Sequence, residues 1–298
     1  MTNYYHLWTP ENQQIILTCE NDFKMAMDIF GLSAALTPGI VILTFELMDN
    51  HLHVALRGKE KDVRAFFEAY KRYLEKWLSA IDRHVDLSGF ICQIRKLETP
   101  TEIRNVISYV NRNGFLVNPD ETPYSYRWGA GRFFFNPDAK MRYDCECRKI
   151  AMTQRRSILH SHAGDRIEHI YMLDGYACPL SFCRIDYAER YYRNASHYFY
   201  EISKNIESQR EIAMEIGESI RYSDGELYRI AVSLSKEKYN QKSPSLLSQT
   251  DKTEFALYLH YDYGASKKQL CRILKMPIAT LDTLFASPEK KSGTPGVY

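Results

Sequence analysis

Four residues in the chain have the types and spacing to do chemistry together: His51, His53, Tyr109 and Asn113. His51 and His53 open the apolar run His51-Leu-His-Val-Ala-Leu56, directly after the turn signal Asp49-Asn50. Successive strand side chains point to opposite faces. Both imidazoles are therefore expected on one side of a strand, with Leu52 and Val54 on the other. Two imidazoles on one rigid face are half of a metal site. Tyr109 adds a phenol 56 residues after His53, and Asn113 an amide one helical turn later. A phenol ionises near pH 10, far below water, so it can serve as a nucleophile and as a reversible leaving group.

These residues need elements to hold them. Tyr4 to Trp8 reads as a strand, and a helix capped by Asn21 runs to Leu36. Strands over 41–48 and 51–57 form a hairpin. A helix over 61–81 keeps Val63, Phe66, Phe67, Tyr70, Leu74, Trp77, Leu78 and Ile81 on one stripe. A fourth strand covers 90–97. This order is that of an α+β, ferredoxin-like split βαβ domain with an antiparallel sheet, whose first and third strands are central. Thr99-Pro-Thr-Glu102 is a helix start, and Gly114 an expected stop. On that helix Ile103, Val106, Ile107 and Val110 make the buried stripe. Tyr109 falls about 110° and Asn113 about 70° from its centre, on one flank. Such a flank ordinarily carries a half-buried Tyr and an Asn at the fraying helix end, amphipathic side chains at the rim of the packed face.

Met48-Asp-Asn-His-Leu-His-Val and Ser108-Tyr-Val-Asn-Arg-Asn-Gly-Phe-Leu-Val117 together resemble the two signatures of the single-tyrosine HUH transposases, closest to the REP-associated tyrosine transposases. The resemblance covers residues 3–130, including the Tyr5-His6 strand and Pro123-Tyr-Ser-Tyr126. Asp49 stands where the family has Pro, and Gly114 replaces the Pro after Asn. The resemblance implies single-strand DNA cleavage and rejoining. In it Tyr109 attacks phosphorus to leave a 5′-phosphotyrosine and a 3′-hydroxyl, and His51, His53 and Asn113 hold one Mg or Mn ion. Imidazole ligands by themselves favour softer ions such as Zn. The substrate would be single-stranded DNA beside a hairpin, and the protein a monomer or homodimer. Two alternatives share parts of this picture: a non-catalytic regulator, and a replication initiator or relaxase.

Beyond residue 130 the resemblance carries nothing. The expected division is a nuclease domain over 1–130, a basic, aromatic and helical extension over 131–240, and a trihelical unit over 251–286. Residues 127–156 carry eight Lys/Arg against three acids, which suggests a phosphate-facing patch including Arg127 and Arg132. In the last unit, helix, Gly-containing break, short helix, turn and short helix match helix-turn-helix spacing. Lys267, Lys268, Arg272, Lys275 and Thr280 are its candidate DNA contacts.

Composition limits the rest. The 298 residues carry a net charge of +2, so the whole chain is not a strongly basic nucleic-acid binder. No apolar run approaches the roughly 18 residues of a membrane span. No export signal is recognisable at Met1-Thr-Asn-Tyr-Tyr-His6, so the seven cysteines are expected as reduced thiols in the cytoplasm. Cys145, Cys147, His160, His162, His169, Cys178 and Cys183 lack a paired Cys-x-x-Cys framework, and no structural zinc is expected there.

Overall fold

A computed structural model describes residues 1–10, 14–117, 124–204, 206–218 and 222–285. It is a mixed α+β structure with two compact units, Met1–Glu218 and Ser219–Tyr298. The first unit opens with β1 (Asn3–Trp8), α1 (Glu20–Ala35), β2 (Ile40–Leu47), β3 (Leu52–Gly58), α2 (Glu60–Ala80), β4 (Gln93–Leu97) and α3 (Pro100–Val117). The four strands form one antiparallel sheet in the order β2-β3-β1-β4, so β3 and β1 hold the inner positions.

The sheet has two differently used faces. On one, Val54, paired with Leu7 and Phe45, meets α1 and α2. Phe30 of α1 stacks on Phe45 at 4.1 Å and meets Phe66 and Tyr70 edge-on. A bulge between Ile42 and Thr44 keeps both Ile42 and Phe45 on this face. The other face presents His6, Trp8, Thr44, Glu46, His53 and Ala55, as the pairings Trp8–His53, His6–Ala55, Glu46–His53 and Thr44–Ala55 require. Here α3 packs. Thr99 caps it, accepting from the Glu102 backbone N–H at 3.1 Å while Glu102 accepts from the Glu98 backbone N–H at 3.0 Å. The helix runs through Gly114 to Val117, past the expected stop. A glycine breaks a helix only where the chain must turn, and here it does not.

The extension does not stand apart. It contains α4 (Pro137–Glu146), β5 (Arg148–Lys149), α5 (Met152–Leu159), β6 (Tyr171–Leu173), β7 (Tyr176–Ala177), α6 (Ile185–Ala188), α7 (Ala195–Lys204) and α8 (Ile206–Ile216). Strands β5, β6 and β7 make a second, antiparallel sheet. Asp174 (φ 57°) and Gly175 (φ 85°) close the β6–β7 hairpin, a two-residue turn that needs both in the left-handed region. The Ala177 backbone N–H donates to Asp28 of α1 at 2.6 Å, and the Arg184 N–H donates to the Ile42 carbonyl of β2 at 2.8 Å. Helix α7 grips α3: Asn111 Nδ2 donates to Tyr198 Oη at 3.0 Å, and Arg112 Nη1 to the Ile202 carbonyl at 3.0 Å. These links carry residues 131–218 into the first unit, so the division expected at 130/131 and near 240 falls after Glu218 instead. They also bury α3 nearly all round, so Tyr109, Asn111, Arg112 and Asn113 are all buried. Tyr109 and Asn113 were expected at a half-exposed rim.

The second unit comprises α9 (Asp224–Tyr239), α10 (Gln249–Tyr263), α11 (Lys267–Leu274) and α12 (Ile278–Leu284). Leu227, Phe255, Leu259, Leu270, Leu274 and Leu281 form its core. Asn240, Gly264 and Lys275 end α9, α10 and α11 in the left-handed conformation. Among the described residues no helix is long and apolar enough to cross a membrane.

Candidate active site

His53 lies on the inner strand β3, fully buried. His51 sits just before it, in the turn closed by the Met48 N–H donating to the His51 carbonyl at 2.9 Å. The strand expected from residue 51 begins at Leu52, and the two imidazoles meet edge-on, 5.2 Å apart. Asn50 Oδ1 only accepts, so at 2.7 Å His51 donates through Nδ1–H and presents its Nε2 lone pair. Tyr109 on α3 faces His53 edge-on at 5.7 Å, and Asn113 follows one turn later on the same helix.

Two further residues complete the cluster, and neither belongs to the expected set. His6 of β1 is the diagonal neighbour of His53, two positions from its paired Trp8. Its Nε2 lies 3.3 Å from His53 Nδ1, and its ring is 6.1 Å from Tyr109. Burial drives its pKa well below the usual imidazole value, so His6 is neutral. Glu218 enters from beyond α8. Its Oε1 stands 3.0 Å from His53 Nε2, and its Oε2 accepts from Tyr109 Oη at 2.5 Å. Burial raises the Glu218 pKa, but the facing His53 imidazole and the Tyr109 hydroxyl outweigh it and hold the carboxyl at about 2.

The contact between His53 Nε2 and Glu218 Oε1 is close without being an aligned hydrogen bond, and both atoms are buried without such a partner. Buried polar atoms are normally satisfied, so an orphaned nitrogen and oxygen 3.0 Å apart need a reason. A shared ion is one: each atom can reach a common ion at the usual 2.0–2.2 Å. His51, His53 and Glu218 offer ligand atoms within 4.8 Å of one another. Two nitrogens and a carboxylate suit Mn or Zn better than Mg, which prefers oxygen. Among the described residues no metal-sized group forms around Cys145, Cys147, Cys178 or Cys183, and all seven cysteines are free thiols.

The candidate DNA contacts are scattered and mostly engaged. Arg127 pairs with Glu20 at 3.0 Å, and Arg132 donates to Asp174 at 3.0 Å and to Tyr176 Oη at 2.9 Å. Around them Lys140 pairs with Glu189, Arg142 with Glu146 and Asp174, and Arg156 with Asp165. Acids distant in sequence thus neutralise much of the local charge of +5. In the second unit Lys267 pairs with Asp282 at 2.7 Å and Arg272 with Asp224 at 2.6 Å. Lys268 and Lys275 are exposed, and Thr280 lies on α12.

Sequence patterns could have pointed to His6, since Tyr4-Tyr-His-Leu-Trp8 alternates as a strand, but only the β1–β3 register sets it beside His53. No local signal marks Glu218, which arrives 109 residues after Tyr109. No family model matches the chain, and no curated protein or solved structure matches it.

Proposed function

We propose that the first unit is a metal-dependent single-strand DNA endonuclease and strand transferase acting through a phosphotyrosine. The observation that carries this reading is the convergence of the Tyr109 hydroxyl, the His51–His53 pair and the Glu218 carboxylate in one buried cluster. The strand order β2-β3-β1-β4 supports a ferredoxin-like domain with its chemistry on a central strand. His51, His53 and Glu218 would hold the divalent ion, with Asn113 as a further oxygen donor on α3. A bound ion would polarise the scissile phosphate as a Lewis acid.

Tyr109 Oη is the nucleophile. Its oxygen bonds to phosphorus, the P–O3′ bond breaks, and the phenolic proton passes to Glu218 Oε2, its hydrogen-bond acceptor. The leaving 3′-oxygen takes a proton from solvent water and departs as the 3′-hydroxyl, while Glu218 returns its proton to solvent. Reversal of these steps rejoins strands without an external energy source. His6 holds His53 through the Nε2–Nδ1 contact and so orients the His53 Nε2 that would ligate the ion. The spacing of α10, α11 and α12 supports a helix-turn-helix that grips duplex DNA, such as a hairpin stem.

The decisive experiment incubates the protein with a single-stranded hairpin substrate and Mn, then separates products on a denaturing gel. A covalent protein–DNA adduct is expected with Mn, none in EDTA, and none with Tyr109→Phe. An adduct of undiminished yield with Tyr109→Phe would refute Tyr109 as nucleophile.

A further inference from the structure

A second cluster lies on the same sheet face, beyond His6. Tyr4 Oη is 2.6 Å from Tyr187 Oη. The Tyr191 ring meets Tyr4 and Tyr187 edge-on at 6.3 and 6.1 Å. Arg57, paired with Tyr4 across β1 and β3, stands 5.8 Å over the Tyr4 ring, and Arg190 stands 5.9 Å over that of Tyr187. The three tyrosines are half-buried and both arginines are exposed. Most of the candidate cations named from the sequence have found carboxylates. Among the described residues, neither Arg57 nor Arg190 has one within ion-pair distance. The neighbouring acid, Asp186, is taken through both oxygens by Arg184 at 3.1 Å.

The chemistry of this cluster is one-sided. Burial keeps the Tyr4 and Tyr191 phenols protonated. The Tyr4–Tyr187 bond uses one hydroxyl proton, and the remaining hydroxyls with two guanidiniums make a set of donors with net positive charge, which is what an oxyanion needs. The guanidiniums already cover the Tyr4 and Tyr187 rings, which disfavours base stacking. The place also matters. Tyr4 and His6 are two residues apart on β1 and share a face, so their backbones are separated by roughly 7 Å. Tyr192, the neighbour of Tyr191, shares a hydrogen bond of 2.8 Å with Ser108, the neighbour of Tyr109.

We propose that Tyr4, Tyr187, Tyr191, Arg57 and Arg190 form a seat for a backbone phosphate of the single DNA strand, next to the phosphate that Tyr109 attacks. This rests on the reading of Tyr109 as the nucleophile. Contacts of this kind position a strand without reading its sequence. A free phosphate has the same chemistry, and the strand is favoured because the seat adjoins Tyr109 along one sheet face.

The test uses the full chain with Arg57→Gln and Arg190→Gln combined, and separately Tyr4→Phe, Tyr187→Phe and Tyr191→Phe combined. Binding of a fluorescent unstructured oligonucleotide is followed by anisotropy at several salt concentrations, and adduct formation with Mn at saturating DNA. The arginine variant is expected to bind about ten-fold more weakly, with a salt slope shallower by about 0.7 for one lost phosphate contact. Its adduct yield at saturation should stay at the wild-type level. The phenylalanine variant should weaken binding by a smaller factor. Wild-type affinity and salt slope in both variants, with adduct still formed, would overturn the seat and leave Tyr109 standing. Weakened binding with no adduct from any protein would uphold the seat and overturn the nucleophile. Binding of inorganic phosphate lost in the variants, with oligonucleotide binding unchanged, would assign the seat to free phosphate and overturn the strand.

Discussion

The buried centre of the first unit and the surface cations of the second deal with charge in opposite ways. Around His53 the polar atoms are buried and two of them, His53 Nε2 and Glu218 Oε1, face each other without an aligned hydrogen bond. In the second unit Lys267 and Arg272 are exposed or half-exposed and each has found an acid, Asp282 and Asp224. Exposed ion pairs contribute little and form wherever opposite charges pass. An unmatched buried pair is costly unless something else satisfies it. The difference teaches where to look for chemistry: at atoms the fold has dried and left open rather than at the densest run of cations.

The sharpest way to break this comparison is at His53. His53→Ala should abolish the covalent adduct and also the response of stability to Mn or Zn. Metal at a hundred times its dissociation constant should stabilise the wild type by about 2.7 kcal/mol, read as a rise in melting temperature that the variant lacks. The same shift in His53→Ala, or its absence in the wild type, would dissociate the histidines from any ion. His51→Ala should behave alike, with less loss of packing because His51 lies in the turn.

Glu218→Gln sharpens the electrostatic side. The wild-type carboxyl is held at about 2, below its value in an unfolded chain, so its stabilising contribution is present above about pH 4.3. That contribution is lost as pH falls toward 2. In metal-free protein the advantage of the wild type over Glu218→Gln should be larger near pH 6 than near pH 2, shrinking on acidification. Urea titrations of both proteins at several pH values measure it. A gap independent of pH would mean that Glu218 acts through packing rather than charge.

The smallest effect belongs to the second unit. Lys267→Ala and Arg272→Ala should each change stability by less than about 1 kcal/mol, because these pairs are solvent-exposed. If the unit grips duplex DNA, each should also lower the salt slope of duplex binding by roughly 1 while leaving the adduct intact. An unchanged slope would make α10, α11 and α12 a packing module.

Much of the first half was legible because its signals are local. The stripes of α1 and α2 and the Thr99 cap needed only neighbouring residues, and the structure places these elements within a residue or two of expectation. Strand β4 is shorter than expected, beginning at Gln93 rather than residue 90. The Asp174-Gly175 hairpin carries a recognisable turn signal, but its strands are two or three residues long, too short for alternation to register.

By itself the sequence determined which residues share a strand or helix, and it placed Tyr109 one turn before Asn113. Those relations follow from fixed periods of 2 and 3.6 residues. Only the tertiary structure decided that Tyr109 is buried, since α7 binds the neighbouring Asn111 and Arg112 and Glu218 meets its hydroxyl. It also decided that the cations of 127–156 meet Glu20, Asp174, Glu189 and Asp165, and that His6 and Glu218 join the centre. Partners such as these lie from 9 to 109 residues apart and are selected by packing, and no short-range pattern records which side chain will fill a given space.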